Sequence, residues 1–160
     1  MHTWFEVKVR YDKMDENGLK KVIEPYLVDA LSFTEAEGRI SKEMQPYISG
    51  DFAIAAIKKA NIKELFDAFT GDRWFRCRVV FVSVDEKGVE KKMPNNMYVL
   101  ANDITEALEN LKKSLQGTMS DYTIASIVET LILDVFHYVE PIPENFKPIE
   151  KPEMAYVISQ

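Results

Sequence analysis

The feature that most narrows what this chain can fold into is that it contains itself twice. Trp4-Phe5 recurs as Trp74-Phe75, seventy positions on. At that offset Val9 meets Val79, Asp15-Glu16 and Gly18 meet Asp85-Glu86 and Gly88, and Lys21 meets Lys91. Farther along, Asp51, Ile54, Ala55, Ile57, Ile62 and Phe66 meet Asp121, Ile124, Ala125, Ile127, Ile132 and Phe136. Between these blocks the offset grows by one residue, and Val28, Ala30, Thr34, Glu35, Ala36, Lys42 and Gln45 meet Val99, Ala101, Thr105, Glu106, Ala107, Lys113 and Gln116. Turn, cap and strand signals fall in the same order in both copies, as a repeated supersecondary unit requires.

Each copy reads as a β-β-α-β unit. Phe5, Val7, Val9 and Tyr11 alternate with Trp4, Glu6, Lys8 and Arg10. Phe75, Cys77, Val79 and Phe81 alternate with Trp74, Arg76, Arg78 and Val80. That period of two marks a half-buried strand. DENG at 15–18 and DEKG at 85–88 supply hairpin turns, the glycine tolerating the positive φ such a loop demands. A second strand follows in each copy. Pro25 and Pro94 lack an N–H, so their stretches are predicted to be an edge or a bulge. Ser32…Glu35 and Asp103…Glu106 are capping boxes that open a helix. Phe33, Ala36, Ile40 and Met44 form one apolar stripe, and Ile104, Ala107, Leu108, Leu111 and Leu115 the other. Pro46 and Gly117 close the helices.

The last segment of each unit is ambiguous in the first copy and plainer in the second. YTIASIVETLILDVFHY is rich in β-branched and aromatic residues and predicts a long strand. FAIAAIKKANIKELF half fits helical spacing, but its partner decides, and both are read as bulged strands. The resulting organisation is a first unit over 1–70, a second over 71–139, and a Pro-rich tail over 140–160 in which MAYVIS at 154–159 either adds an edge strand or stays loose with the tail.

A length of 160 residues fits one domain, and no apolar run approaches the roughly 20 residues of a membrane-spanning helix. The opening MHTWFEVKVR has no signal-like apolar stretch. With Cys77 the sole cysteine, no internal disulfide forms. The expectation is a soluble, cytoplasmic protein without membrane contact. The net charge of −6 argues against binding duplex DNA, which needs a concentrated positive surface.

No Gly-rich phosphate loop, nucleophile elbow or HExxH pattern is present. His2 and His137 are far apart in sequence, and Cys77 alternates with Phe75 and Val79 on the expected core face, where a thiol is a small hydrophobe. No metal site, cofactor or catalytic residue is assigned. One constellation has a functional reading. Trp4, Lys8 and Arg10 share a strand face, and Trp74, Arg76 and Arg78 share its equivalent; an aromatic beside long basic side chains is how single-stranded nucleic acid is stacked and neutralised. The competing and preferred reading is that both tryptophans cover the sheet's edge, or pack under the tail or another protomer, since Trp is mostly buried on average.

WFEVKVRY, EPYLVDALSFTEAE and GTMSDYTIASI, in this order, resemble an uncharacterised family described as a domain of unknown function. The resemblance spans about residues 3–140 and implies occurrence in Bacteroidetes and their phages. It implies no catalytic residue, cofactor or substrate.

The sequence therefore predicts an α+β fold: two β-β-α-β units related by a pseudo-two-fold axis, with helices on antiparallel sheet and either two similar surfaces or one composite groove between the halves. A protein-interaction or regulatory module, engaging a protein partner or a second copy, fits an acidic, motif-poor domain best. Binding of single-stranded nucleic acid is the alternative, and an enzyme without a recognisable motif comes last.

Overall fold

The computed structural model describes residues 1–140. The expected edge strand at 154–159 lies outside them. The elements run β1 (Thr3–Asp15), β2 (Gly18–Ala30), α1 (Phe33–Met44), β3 (Phe52–Lys59), β4 (Glu64–Phe66), β5 (Arg73–Val84), β6 (Glu90–Ala101), α2 (Ile104–Ser114), β7 (Asp121–Glu129) and β8 (Asp134–Phe136). The architecture is mixed α and β, mostly strand, in two four-stranded sheets with two helices. The sheet orders are β3-β1-β2-β8 and β4-β6-β5-β7.

Strand alternation sets the faces. Phe5, Val7 and Val9 of β1, with Tyr26 and Val28 of β2, pack on Ala36, Ile40 and Met44 of α1. Phe75, Cys77 and Val79, with Met97 and Val99, pack in the same way on Ala107, Leu111 and Leu115 of α2. The opposite, helix-free faces meet in a third cluster of Leu27, Trp74, Tyr98 and Ile132, flanked by Trp4, Leu65, Leu100 and Val135. The layers thus run helix, sheet, sheet, helix.

The last segment of each unit departs from the predicted single strand. Each is a strand with a register shift, between Lys8 and Val9 of β1 against β3 and between Arg78 and Val79 of β5 against β7. The shift leaves Ala55 and Ala125 as the extra residues of bulges. The strand then breaks, and its short continuation joins the other sheet: β4 runs parallel to β6, and β8 runs parallel to β2. A strand cannot serve two sheets without leaving one ladder, so 60–63 and 130–133 cross between them. Pro25 and Pro94 fall where β2 and β6 have a ladder on one side only, beyond the parallel pairs at Tyr26–Val28 and Met97–Val99. This matches the missing N–H of proline.

The position of the extra residue also differs from the alignment by identity. Asp15 pairs with Gly18 across a two-residue loop. Asp85 instead donates its N–H to Val89 O at 3.0 Å, closing a three-residue loop in which Gly88 takes φ +79°. The additional residue enters at the hairpin, so Lys91 faces Ser83 as Lys20 faces Lys13, and the identity of Lys21 with Lys91 is not a structural equivalence.

Both predicted caps are formed. Ser32 Oγ accepts the Glu35 N–H at 3.1 Å, and Asp103 Oδ1 accepts that of Glu106 at 2.8 Å. The returning carboxylates satisfy Leu31 N–H in the first copy and the Asn102 amide in the second. Phe33 and Ile104, the outermost members of the predicted stripes, stay largely exposed.

Ser32→Ala and Asp103→Ala should each destabilise the fold by about 0.5–2 kcal/mol in urea melts; unmoved midpoints for both would reject the caps. Cys77 is fully buried, and burial pushes its thiol up to about 12. It should resist a thiol reagent at pH 8 in native protein and react promptly in denaturant, whereas fast native labelling would contradict its core position.

Candidate functional site

A polar concavity lies where the helix-free faces diverge from their contact. It is a cleft of about 440 Å³. One wall is Glu6 and Lys8 of β1, Pro25 of β2 and Lys58-Lys59 of β3. The other is Arg76 of β5, Asn96 and Tyr98 of β6 and Val128-Glu129 of β7. The crossing segments, through Ala60, Asn61 and Thr130 to Ile132, complete it.

The backbone around the cleft is fixed by equivalent bonds. Ala60 N–H donates to Trp4 O and Thr130 N–H to Trp74 O, both at 2.9 Å. Lys63 N–H then reaches Asn96 O at 2.8 Å, and Leu133 N–H reaches Pro25 O at 3.0 Å. Thr130 adds its hydroxyl, donating to Trp74 O at 2.8 Å.

The charges lining the cleft are unequal. Glu6 is held by Lys58 at 3.0 Å, and Glu129 by Arg73, outside the cleft, at 3.3 Å. Lys8, Lys59 and Arg76 make no ion pair among the described residues. The unneutralised charge is positive, in a chain whose total is −6.

The expected binding residues are divided by this geometry. Lys8 and Arg76 both line the cleft, from opposite sheets. Arg10 borders a separate shallow groove with Asp12 and Asp51, and Arg78 is exposed outside the cleft. Trp74 is 5% exposed inside the inter-sheet cluster, and Trp4 is half-buried beside it with its ring edge against His137 at 5.4 Å between centroids. A base has no open Trp74 face on which to stack. Sequence reasoning did not single out Lys59, Asn61 or Asn96. The available signal was the failure of the repeat at these places, where Lys58-Lys59 faces Val128-Glu129, Glu6 faces Arg76 and Pro25 faces Asn96.

Two other polar clusters are structural in their contacts. His2 donates to the buried Asp29 at 2.8 Å and stacks on Tyr138, while His137 donates to Asp67. Tyr11 donates to Glu24; burial first, then that carboxylate, pushes the Tyr11 hydroxyl up to about 12. Among the described residues no group of three His, Cys, Asp or Glu side chains is placed to hold a metal ion, and no helix is long and apolar enough to cross a membrane.

With this geometry in place, the comparison with known families is decisive on membership. Residues 3–138 match the model of the Domain of unknown function (DUF4494). The chain belongs to that family. The family's description names no activity. No curated protein matches the chain.

If Trp74 is part of the joint between the sheets, Trp74→Ala should cost about 3–5 kcal/mol in urea melts. Arg76→Ala and Arg78→Ala, both at exposed positions, should stay within about 0.5 kcal/mol. A folded Trp74→Ala protein of unchanged stability would remove the tryptophan from the structural account.

Proposed function

We propose that this chain is a non-catalytic binding module with a regulatory or protein-interaction role, and that its ligand enters the cleft between the two sheets. The observation behind this reading is that both sheets build the cleft and present Lys8 and Arg76 to it. The halves share one order of elements, equivalent caps and equivalent crossing bonds. We take them as products of a duplication, related by a pseudo-two-fold axis, with units at 1–70 and 71–139. A site between such halves is single and composite.

Two features favour binding over catalysis. The carboxylates lining the cleft, Glu6 and Glu129, are each tied to a cation, and Cys77, the only thiol, lies in a core on the far face of its sheet. A regulatory role also suits the distribution in Bacteroidetes and phages that the sequence resemblance implies, and a reducing cytoplasm suits the unpaired thiol. Single-stranded nucleic acid is the weaker reading, because Trp74 is enclosed and Arg10 and Arg78 do not extend the cleft into a basic track.

Protein-observed NMR with a fragment library should give saturable shifts centred on Lys8, Lys59, Arg76 and Asn96. Shifts concentrated at another surface would overturn the site. A labelled oligothymidylate, titrated at low salt, should neither quench tryptophan fluorescence nor bind; salt-sensitive quenching lost in Trp4→Ala would reinstate the nucleic-acid reading.

A further inference from the structure

We infer that the inter-sheet cleft takes a small phosphate-bearing molecule, its anionic group held between Lys8 of one sheet and Arg76 of the other. The inference rests on the cleft being the ligand site. Internal pairing already neutralises Glu6 and Glu129 and leaves Lys8 and Arg76 in excess, Lys59 pairing with Phe5 on the helix-bearing face of its sheet. A monocarboxylate would leave about half of that charge unmatched. A phosphate monoester carries about 1.5–2 negative charges at pH 7 and several strong acceptor oxygens.

The lining suits such a group in its donors as well as its charge. Arg76 offers the planar fork that matches phosphate oxygens, and lysine binds phosphate as a point charge. Asn61 and Asn96 add side-chain amides that make no hydrogen bond among the described residues. A volume of about 440 Å³ is that of a small-molecule pocket rather than of a track for a polymer. The walls also differ in charge: Glu6 in the first half corresponds to Arg76 in the second, and Lys59 to Glu129. One ligand in one orientation fits this asymmetry better than two symmetric ones.

The test uses the full chain and sodium pyrophosphate as the probe, titrated calorimetrically in low-salt buffer with NMR to locate it. Expected is one saturable site at the cleft that weakens as sodium chloride rises. Arg76→Ala and Lys8→Ala should each weaken binding about tenfold or more, while Arg78→Ala changes it by about twofold or less. Circular dichroism should show all three variants folded, as their exposure allows. Succinate, the carboxylate arm, should bind about tenfold more weakly than pyrophosphate; equal binding would overturn the phosphate assignment. A hexaglutamate peptide that binds more tightly than pyrophosphate would overturn it in favour of an acidic protein segment. Fragments that fill the cleft while pyrophosphate fails to bind would overturn the phosphate inference alone. Pyrophosphate bound elsewhere, with the cleft unperturbed, would overturn both it and the site.

Discussion

The structure depends on two short crossings of the chain. After β3 the backbone hangs Ala60 from the Trp4 carbonyl, passes to the opposite sheet and docks Lys63 on the Asn96 carbonyl. After β7 it does the same from Trp74 to Pro25 through Thr130 and Leu133. Neither sheet therefore reaches four strands without the other half of the chain. Each half supplies three antiparallel strands and a helix, and borrows a parallel strand of three residues. Such short strands add few ladder bonds themselves. Their effect is positional, because they bring Leu65 and Val135 into the cluster between the sheets and fix how closely the sheets approach.

That geometry explains the tryptophans. A residue at the start of β1 or β5, on the helix-free face, sits where the crossing leaves the sheet. Its carbonyl receives the crossing segment, and its ring covers the apolar floor beneath. A large flat side chain seals such a joint over more area than any aliphatic one. The same alternation that places Trp4 and Trp74 at the joint places Glu6, Lys8 and Arg76 one or two pleats farther out, where the sheets have separated. The polar cleft and the apolar joint are thus successive stretches of the same strand faces.

Much of this was legible in the sequence, for physical reasons that differ by element. The alternation of Phe5, Val7 and Val9 with Glu6 and Lys8 encodes a two-sided strand directly, and Ser32 and Asp103 encode helix starts through local hydrogen bonds. The break after Lys59 and Glu129 had no such local signal. Ile62 and Ile132 continue the β-branched pattern without proline or glycine, and the change of sheet is decided by carbonyls of β2 and β6 that are distant in sequence. The candidate site was half legible. Lys8 and Arg76 were found because they flank repeated tryptophans, and Arg10 and Arg78 were grouped with them by the same alternation although they do not line the cleft. Lys59 and Asn96 were missed because an exposed lysine and a strand asparagine look like solvated surface until the opposite wall is in place.

The repeat itself suggests why the site lies where it does. Interlocked halves hold their core residues under similar constraints, so Val9 and Val79, Ala36 and Ala107, and Ile62 and Ile132 cannot be exchanged for larger or smaller side chains without loss of packing. The charged residues lining the gap between sheets touch solvent and carry no such constraint. There the two halves differ: glutamate against arginine at 6 and 76, lysine against glutamate at 59 and 129, proline against asparagine at 25 and 96. A lining repeated in both halves would have doubled one sign of charge in the cleft, both acidic at the 6 and 76 positions or both basic, and like charges in one cleft repel. The difference at these positions leaves Lys8 and Arg76 without an ion pair among the described residues, so the joint between similar halves opens into a polar cleft.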